Sequence, residues 1–133
     1  MKLQTLNEML RNSVRLHGDR TAFKVKKEGK FAPITYQEFY NKVEKFGTGL
    51  LGIGIEKFDH IALVSDNRFE WIISDMAIVG LRAADVPCSG NSSPQDIYFK
   101  LNHSDAKATI PVSYTHLRAH ETPEHLVCRL LLE

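Results

Sequence analysis

Between His60 and Ile110 the chain alternates short apolar runs with segments of helical periodicity, and this alternation limits the fold more than any other feature. His60–Ser65 (HIALVS), Ala83–Pro87 and Ala106–Ile110 read as strands. Asn67–Leu81, carrying Phe69, Trp71, Ile72, Met76, Ile78 and Val79, and Pro94–Asn102 read as the helices between them. A crossover helix returns the chain to the same end of a sheet, so the strands should pair in parallel and need cover on both faces. Right-handed crossovers make this a βαβαβ layer of a doubly wound sheet. The third strand stops as it starts. The expected class is α/β, and residues 1–110 read as an incomplete piece of a larger doubly wound domain.

Along the chain, helix starts are marked by an N-cap residue followed three positions later by an acid. Thr5 with Glu8, Thr35 with Glu38 and Asn67 with Glu70 fit a reciprocal capping box, and Ser93 with Asp96 adds Pro94 at the first helical position. A first helix is expected over Leu6–His17, with Leu6, Met9, Leu10, Val14 and Leu16 or His17 on one face and Gly18 as its stop. Thr21–Lys26 and Lys30–Thr35 read as a hairpin. A second helix over Tyr36–Gly52 turns Phe39, Tyr40, Val43, Phe46 and Leu50 inward. Its Gly47, Gly49 and Gly52 are read as sites of close packing against a neighbour.

The chain has 133 residues, 43% apolar and 25% charged, with a net charge of +1. One domain fits that length, and a disordered polyelectrolyte is excluded. A pI near 7.8 gives electrostatic nucleic-acid binding no support. No window has the roughly 18 apolar residues of a membrane span, and charges interrupt the N-terminus where a signal peptide needs an apolar stretch. Cys88 and Cys128 make no disulfide framework and suit a reducing compartment. A cytoplasmic protein is expected. Lys24, Lys26, Lys27 and Lys30 cluster on the hairpin. A solvated face is the plain reading, and peripheral contact with anionic lipid at the inner membrane face is the functional one.

GDRTAF (18–23), ITYQEF (34–39), HIALVSDNRFEWIISDMAIVGLRAADVP (60–87) and YFKLNHSDAKA (98–108) resemble the N-terminal part of AMP-forming acyl-CoA synthetases, most of all bacterial long-chain fatty-acid–CoA ligases. Cys88-Ser89-Gly90 departs from the family pattern, which places a basic residue after the proline. The resemblance makes residues 1–110 a partial N-terminal region of the AMP-binding (adenylation) domain. It implies a parent enzyme that joins a long-chain fatty acid to ATP as an acyl-adenylate and passes the acyl group to coenzyme A, with Mg²⁺ offsetting phosphate charge. It also implies that the phosphate loop, the Thr-Glu pair, the ribose-binding Asp and the catalytic lysine lie downstream. No catalytic, cofactor-binding or metal residue is therefore assigned here, and the chain alone is expected to be inactive and to bind no cofactor. The rivals are an adenylate-forming ligase for an aromatic or shorter acid, and a non-catalytic α/β interaction domain.

Other candidates have plainer readings. Gly47-Thr48-Gly49 lies inside an expected helix and lacks a following lysine, so it is not a phosphate cradle. Cys88, placed after a strand, reads as structural because no histidine is positioned to activate it. Trp71 reads as core, and His60 and His103 as surface or capping residues. His116, His120, His125 and Cys128 have zinc-like chemistry. Yet Val112–Thr122 and Leu126–Glu133 resemble one reading frame of a transposase-type sequencing adapter followed by a flow-cell adapter. The codons between them span a sample index. Residues 111–133 are thus read as an artefactual tail outside any domain.

Overall fold

The computed structural model describes residues 5–111. The elements in chain order are α1 (Leu6–His17), β1 (Thr21–Lys27), β2 (Lys30–Thr35), α2 (Tyr36–Gly52), β3 (His60–Ser65), α3 (Phe69–Gly80), β4 (Ala84–Ser89), α4 (Pro94–His103) and β5 (Ala108–Pro111). Two of the expected capping boxes are complete. Glu8 N–H donates to Thr5 Oγ1 at 3.1 Å while Thr5 N–H donates to Glu8 Oε2 at 3.2 Å. Thr35 and Glu38 repeat the exchange at 3.1 and 2.8 Å. At Ser93 the hydroxyl oxygen accepts from Asp96 N–H.

The fourth cap is a correction. Asn67 does not cap α3; Arg68, extended at φ −134°, occupies the N-cap without a side-chain hydrogen bond. Glu70 pairs instead with Arg68 Nε at 3.4 Å. Gly18 also stops α1 differently from a left-handed glycine cap. Its φ is −48°, and its carbonyl accepts from Gln37 N–H as the chain turns into the hairpin.

β3 is central. The order is β4-β3-β5, with both neighbours parallel to β3, in register His60↔Ala84 through Ser65↔Ser89 on one side and Ile61↔Ala108 through Val64↔Pro111 on the other. β4 runs two residues beyond the expected Pro87 because Cys88 and Ser89 pair with Val64 and Ser65. Cys88 therefore lies within the strand and not after it. β5 starts at Ala108, since Lys107 N–H is the first donor to β3, bonding the His60 carbonyl at 2.8 Å. Pro87 and Pro111 sit on strands flanking β3, where a missing donor is tolerated.

Alternation along β3 splits the core between two faces. Ile61 and Leu63 point into the larger cluster, with Ile73, Met76, Ala77 and Ile78 of α3, Phe39, Val43, Phe46 and Leu50 of α2, and Leu10 of α1. Val64 points to the opposite face, where Cys88, Ile97 and Leu101 form a smaller cluster with α4. Helices thus cover both faces, as a doubly wound layer requires. The face of α3 differs from expectation: Trp71, Ile72 and Val79 are only partly buried, while Ile73 and Ala77 are in the core. On α1, Leu6, Met9 and Leu16 are exposed and Leu10 alone is buried.

The hairpin packs beside the larger cluster through Phe23, whose ring lies 4.9 Å from Phe39 and 5.1 Å from Phe69 between centroids. Such edge-on and tilted aromatic pairs contribute about 0.5–1.5 kcal/mol each beyond area burial. Its turn is made by Glu28 (φ 48°) and Gly29 (φ 81°), the two positive φ values of a type I′ connection. Close packing does not explain the α2 glycines. A Cβ on Gly47 would meet Ala77 Cβ at an ordinary 3.8 Å, and Gly49 and Gly52 face open space.

Candidate functional site

In an open parallel sheet, neighbouring strands whose connections pass to opposite faces leave a crevice at their carboxyl ends. β3 and β4 are such a pair, since α3 packs on one face and α4 on the other, and Asp66–Arg68 is the loop leaving β3. Ser65 is buried and its hydroxyl donates to the Asp66 carbonyl at 2.7 Å. The loop after β4 closes against it, with Gly90 N–H donating to the Ser65 carbonyl at 3.2 Å. A Cβ at Gly90 would lie 2.5 Å from Asp66 Oδ1 and 3.2 Å from Asp66 N, so any side chain there displaces the Asp66 carboxylate and crowds its backbone nitrogen. Beyond it, Ser89 Oγ accepts from Asn91 N–H.

The N-termini of α3 and α4 open from these two loops, where backbone N–H groups favour anions. Both ends already hold their own acids: Glu70 in the first turn of α3 and Asp96 in that of α4. With Asp66 between the loops, this donor set does not fit the phosphates of ATP, and no step through the nucleotide is derived from the described residues. Gly47-Thr48-Gly49 lies within α2, where the Thr48 hydroxyl bonds the Glu44 carbonyl. Among the described residues no group of three His, Cys, Asp or Glu is placed to hold a metal. His116, His120, His125 and Cys128 lie outside the described residues.

Cys88 is buried, and burial raises its thiol above the ordinary value, opposed by the Lys100 ammonium. That favours the inert thiol over a nucleophile. His60 Nδ1 meets the Ser104 carbonyl at 2.5 Å, which satisfies an acceptor at the end of α4. His103 stacks on Phe99 with centroids 5.4 Å apart.

One pair had no signal in the sequence. Asp75 of α3 and Asp85 of β4 interact, and burial first, then the Asp85 charge, push the Asp75 carboxyl up to about 6. A like charge beside a carboxyl disfavours its ionised form, as burial does. Only the packing of α3 on β4 brings them together.

The profile of the AMP-binding enzyme family matches residues 10–133. The chain belongs to that family. Curated relatives include the long-chain-fatty-acid–CoA ligase ACSBG2 of Gallus gallus, 24% identical over 112 residues, which cover 84% of this chain and 15% of the relative. The long-chain-fatty-acid–CoA ligase FadD15 of Mycobacterium tuberculosis is 30% identical over 79 residues, covering 59% of this chain and 13% of the relative. The chain thus spans less than a sixth of either. Among solved structures, the N-terminal subdomain of Klebsiella oxytoca NpsA, in complex with 3-hydroxyanthranilyl-AMSN, superposes with a TM-score of 0.83 at 20% identity, covering 96% of this chain and 31% of that one. That likeness shows the fold: the β4-β3-β5 layer and its helices recur in that subdomain.

Proposed function

We propose that this chain is the N-terminal region of an ATP-dependent ligase that activates a long-chain fatty acid as its acyl-adenylate and transfers it to coenzyme A. The observation that carries the substrate class is the pair of relatives above, both long-chain-fatty-acid–CoA ligases in name, aligned to this chain. The parent would use ATP, Mg²⁺ and coenzyme A. Those groups are held by parts of the parent outside residues 5–111, because the β3 crevice here presents Asp66 and not a phosphate cradle. The chain by itself is inactive on this reading.

A second reading is favoured by one observation. NpsA, with the same fold, carries an aromatic acyl group in its complex, so a ligase for an aromatic acid remains the direct rival. Fatty acid-dependent release of AMP by the parent enzyme, compared between palmitate and 3-hydroxybenzoate, separates the two. AMP release with palmitate supports the first, and release with the aromatic acid alone overturns it. Residues 111–133 are proposed to be translated adapter, and the genomic sequence after the Ile110 codon tests that.

Among the described residues no helix is long and apolar enough to cross a membrane. A cytoplasmic location is proposed for the parent, because the free, buried thiol of Cys88 suits a reducing compartment.

A further inference from the structure

We propose that the outer face of the β1–β2 hairpin docks on an anionic lipid bilayer. The antiparallel register decides which residues share that face. Lys24 stands opposite Pro33 and Lys26 opposite Phe31, and these four share it, whereas Lys27 and Lys30, opposed at the turn, fall in the same alternating set as Phe23 and Val25. Phe23 and Val25 pack against the core and Ile34 is buried, so the alternating positions are turned outward. Lys24, Lys26 and Pro33 are exposed on it, Phe31 beside Lys26 is 69% exposed, and the exposed Lys27 and Lys30 border it at the turn.

The face is cationic and uncompensated. Glu28 is the single acid between Thr21 and Thr35. Among the described residues the two ion pairs are Arg68–Glu70 and Lys107–Asp59, and no hairpin lysine takes part. A partner must therefore supply negative charge and also accept the apolar Phe31 and Pro33 side chains. A bilayer of anionic lipid does both: its surface attracts lysines, and the headgroup–acyl boundary takes an aromatic ring. A nucleic acid supplies the charge but no apolar layer, and the chain's net charge of +1 gives it little attraction beyond this hairpin. The surface is preorganised, because Phe23 is held between Phe39 and Phe69 beneath it. The proposal does not rest on the substrate assigned above.

Co-sedimentation of the full chain with vesicles tests it, comparing phosphatidylcholine alone with phosphatidylcholine containing phosphatidylglycerol. Binding is expected only where phosphatidylglycerol is present, and should weaken as salt rises. Lys24→Glu with Lys26→Glu should lower the partition coefficient by at least about tenfold, and Phe31→Ser should lower it several-fold. Lys42→Glu with Lys45→Glu, on the exposed side of α2, should leave it within about twofold. Circular dichroism checks that each variant folds. Should the hairpin charge reversal fail to fold, Phe31→Trp gives an independent reading, with added emission shifting to the blue on anionic vesicles. No blue shift, equal binding to phosphatidylcholine alone, or equal loss in the α2 control overturns the proposal. So does a single-stranded oligonucleotide bound as tightly as the vesicles and indifferent to Phe31→Ser.

Discussion

Lys107 Nζ lies 2.6 Å from Asp59 Oδ2 and 2.9 Å from the Gly54 carbonyl oxygen, joining the residue before β5 to the loop that leads into β3. The contact fixes the start of the third strand against the start of the first, next to the bond from Lys107 N–H to the His60 carbonyl. Lys107 is the largest cause of holding the Asp59 carboxyl below its ordinary value of 3.8. A depressed carboxyl contributes stability above its unfolded value and loses it as the pH falls through the folded one. Lys107→Met should therefore lower the urea midpoint near neutral pH and flatten the loss of stability below about pH 4. Equal acid profiles for variant and parent chain would contradict this.

Asp75 gives the opposite sign. Its folded value of about 6 lies above the ordinary 3.8. The contribution is thus fully present below about 3.8 and lost as the pH rises through about 6. Asp75→Asn should raise stability near pH 7.5 by about 1 kcal/mol, a figure discounted for the partial exposure of the site. It should also remove the pH dependence between about 4 and 6. Thermal melts across that window check it, and a variant less stable than the original chain at pH 7.5 sinks it.

Two glycines separate steric need from helix propensity. Gly90→Ala should destabilise the chain by about 1–2 kcal/mol, because the added methyl meets both the Asp66 carboxylate and its backbone nitrogen. Gly49→Ala should stabilise it by about 0.5–1 kcal/mol, since a methyl there projects into open space from a helix interior. Urea titrations of the two variants should move in opposite directions.

The tail carries a prediction of its own. If residues 112–133 are translated adapter, no selection has fitted His116, His120, His125 and Cys128 to one another. Calorimetric titration of the full chain with zinc should then show no submicromolar binding. Tight binding that is lost on His116→Ala or His120→Ala would overturn the adapter reading.

The sequence was most legible where structure is local. A threonine followed three residues later by a glutamate located α1 and α2 to the residue, because both halves of a capping box lie within one turn. The same spacing misled at Asn67. There Arg68 competes for Glu70, and an ion pair replaces the cap. Strand lengths depended on partners far away in the chain: Cys88 and Ser89 join β4 only because Val64 and Ser65 stand beside them. Helix faces failed for a similar reason. Leu6, Met9 and Leu16 have helical spacing, yet α1 meets its neighbours chiefly through Leu10. The Asp75–Asp85 pair joins a helix to a strand and leaves no trace in residue spacing.

Removing this chain from its proposed setting should abolish the chemistry. The purified chain, given ATP, Mg²⁺ and palmitate, should form no acyl-adenylate, because the β3 crevice offers Asp66 and two acid-filled helix ends where phosphates would have to bind. Adenylate detected by mass spectrometry above a no-protein control would contradict that.

The most direct test is made on the parent enzyme, expressed from the genomic reading frame that contains residues 1–110. Thioester formation from ATP, Mg²⁺ and coenzyme A should be measured with palmitate, acetate and 3-hydroxybenzoate as competing acids. Palmitoyl-CoA appearing with stoichiometric AMP, and with a higher kcat/KM than either rival thioester, is the predicted result. A thioester formed from 3-hydroxybenzoate or acetate with none from palmitate contradicts the long-chain assignment, and no acid-dependent AMP release from any of the three contradicts the ligase itself.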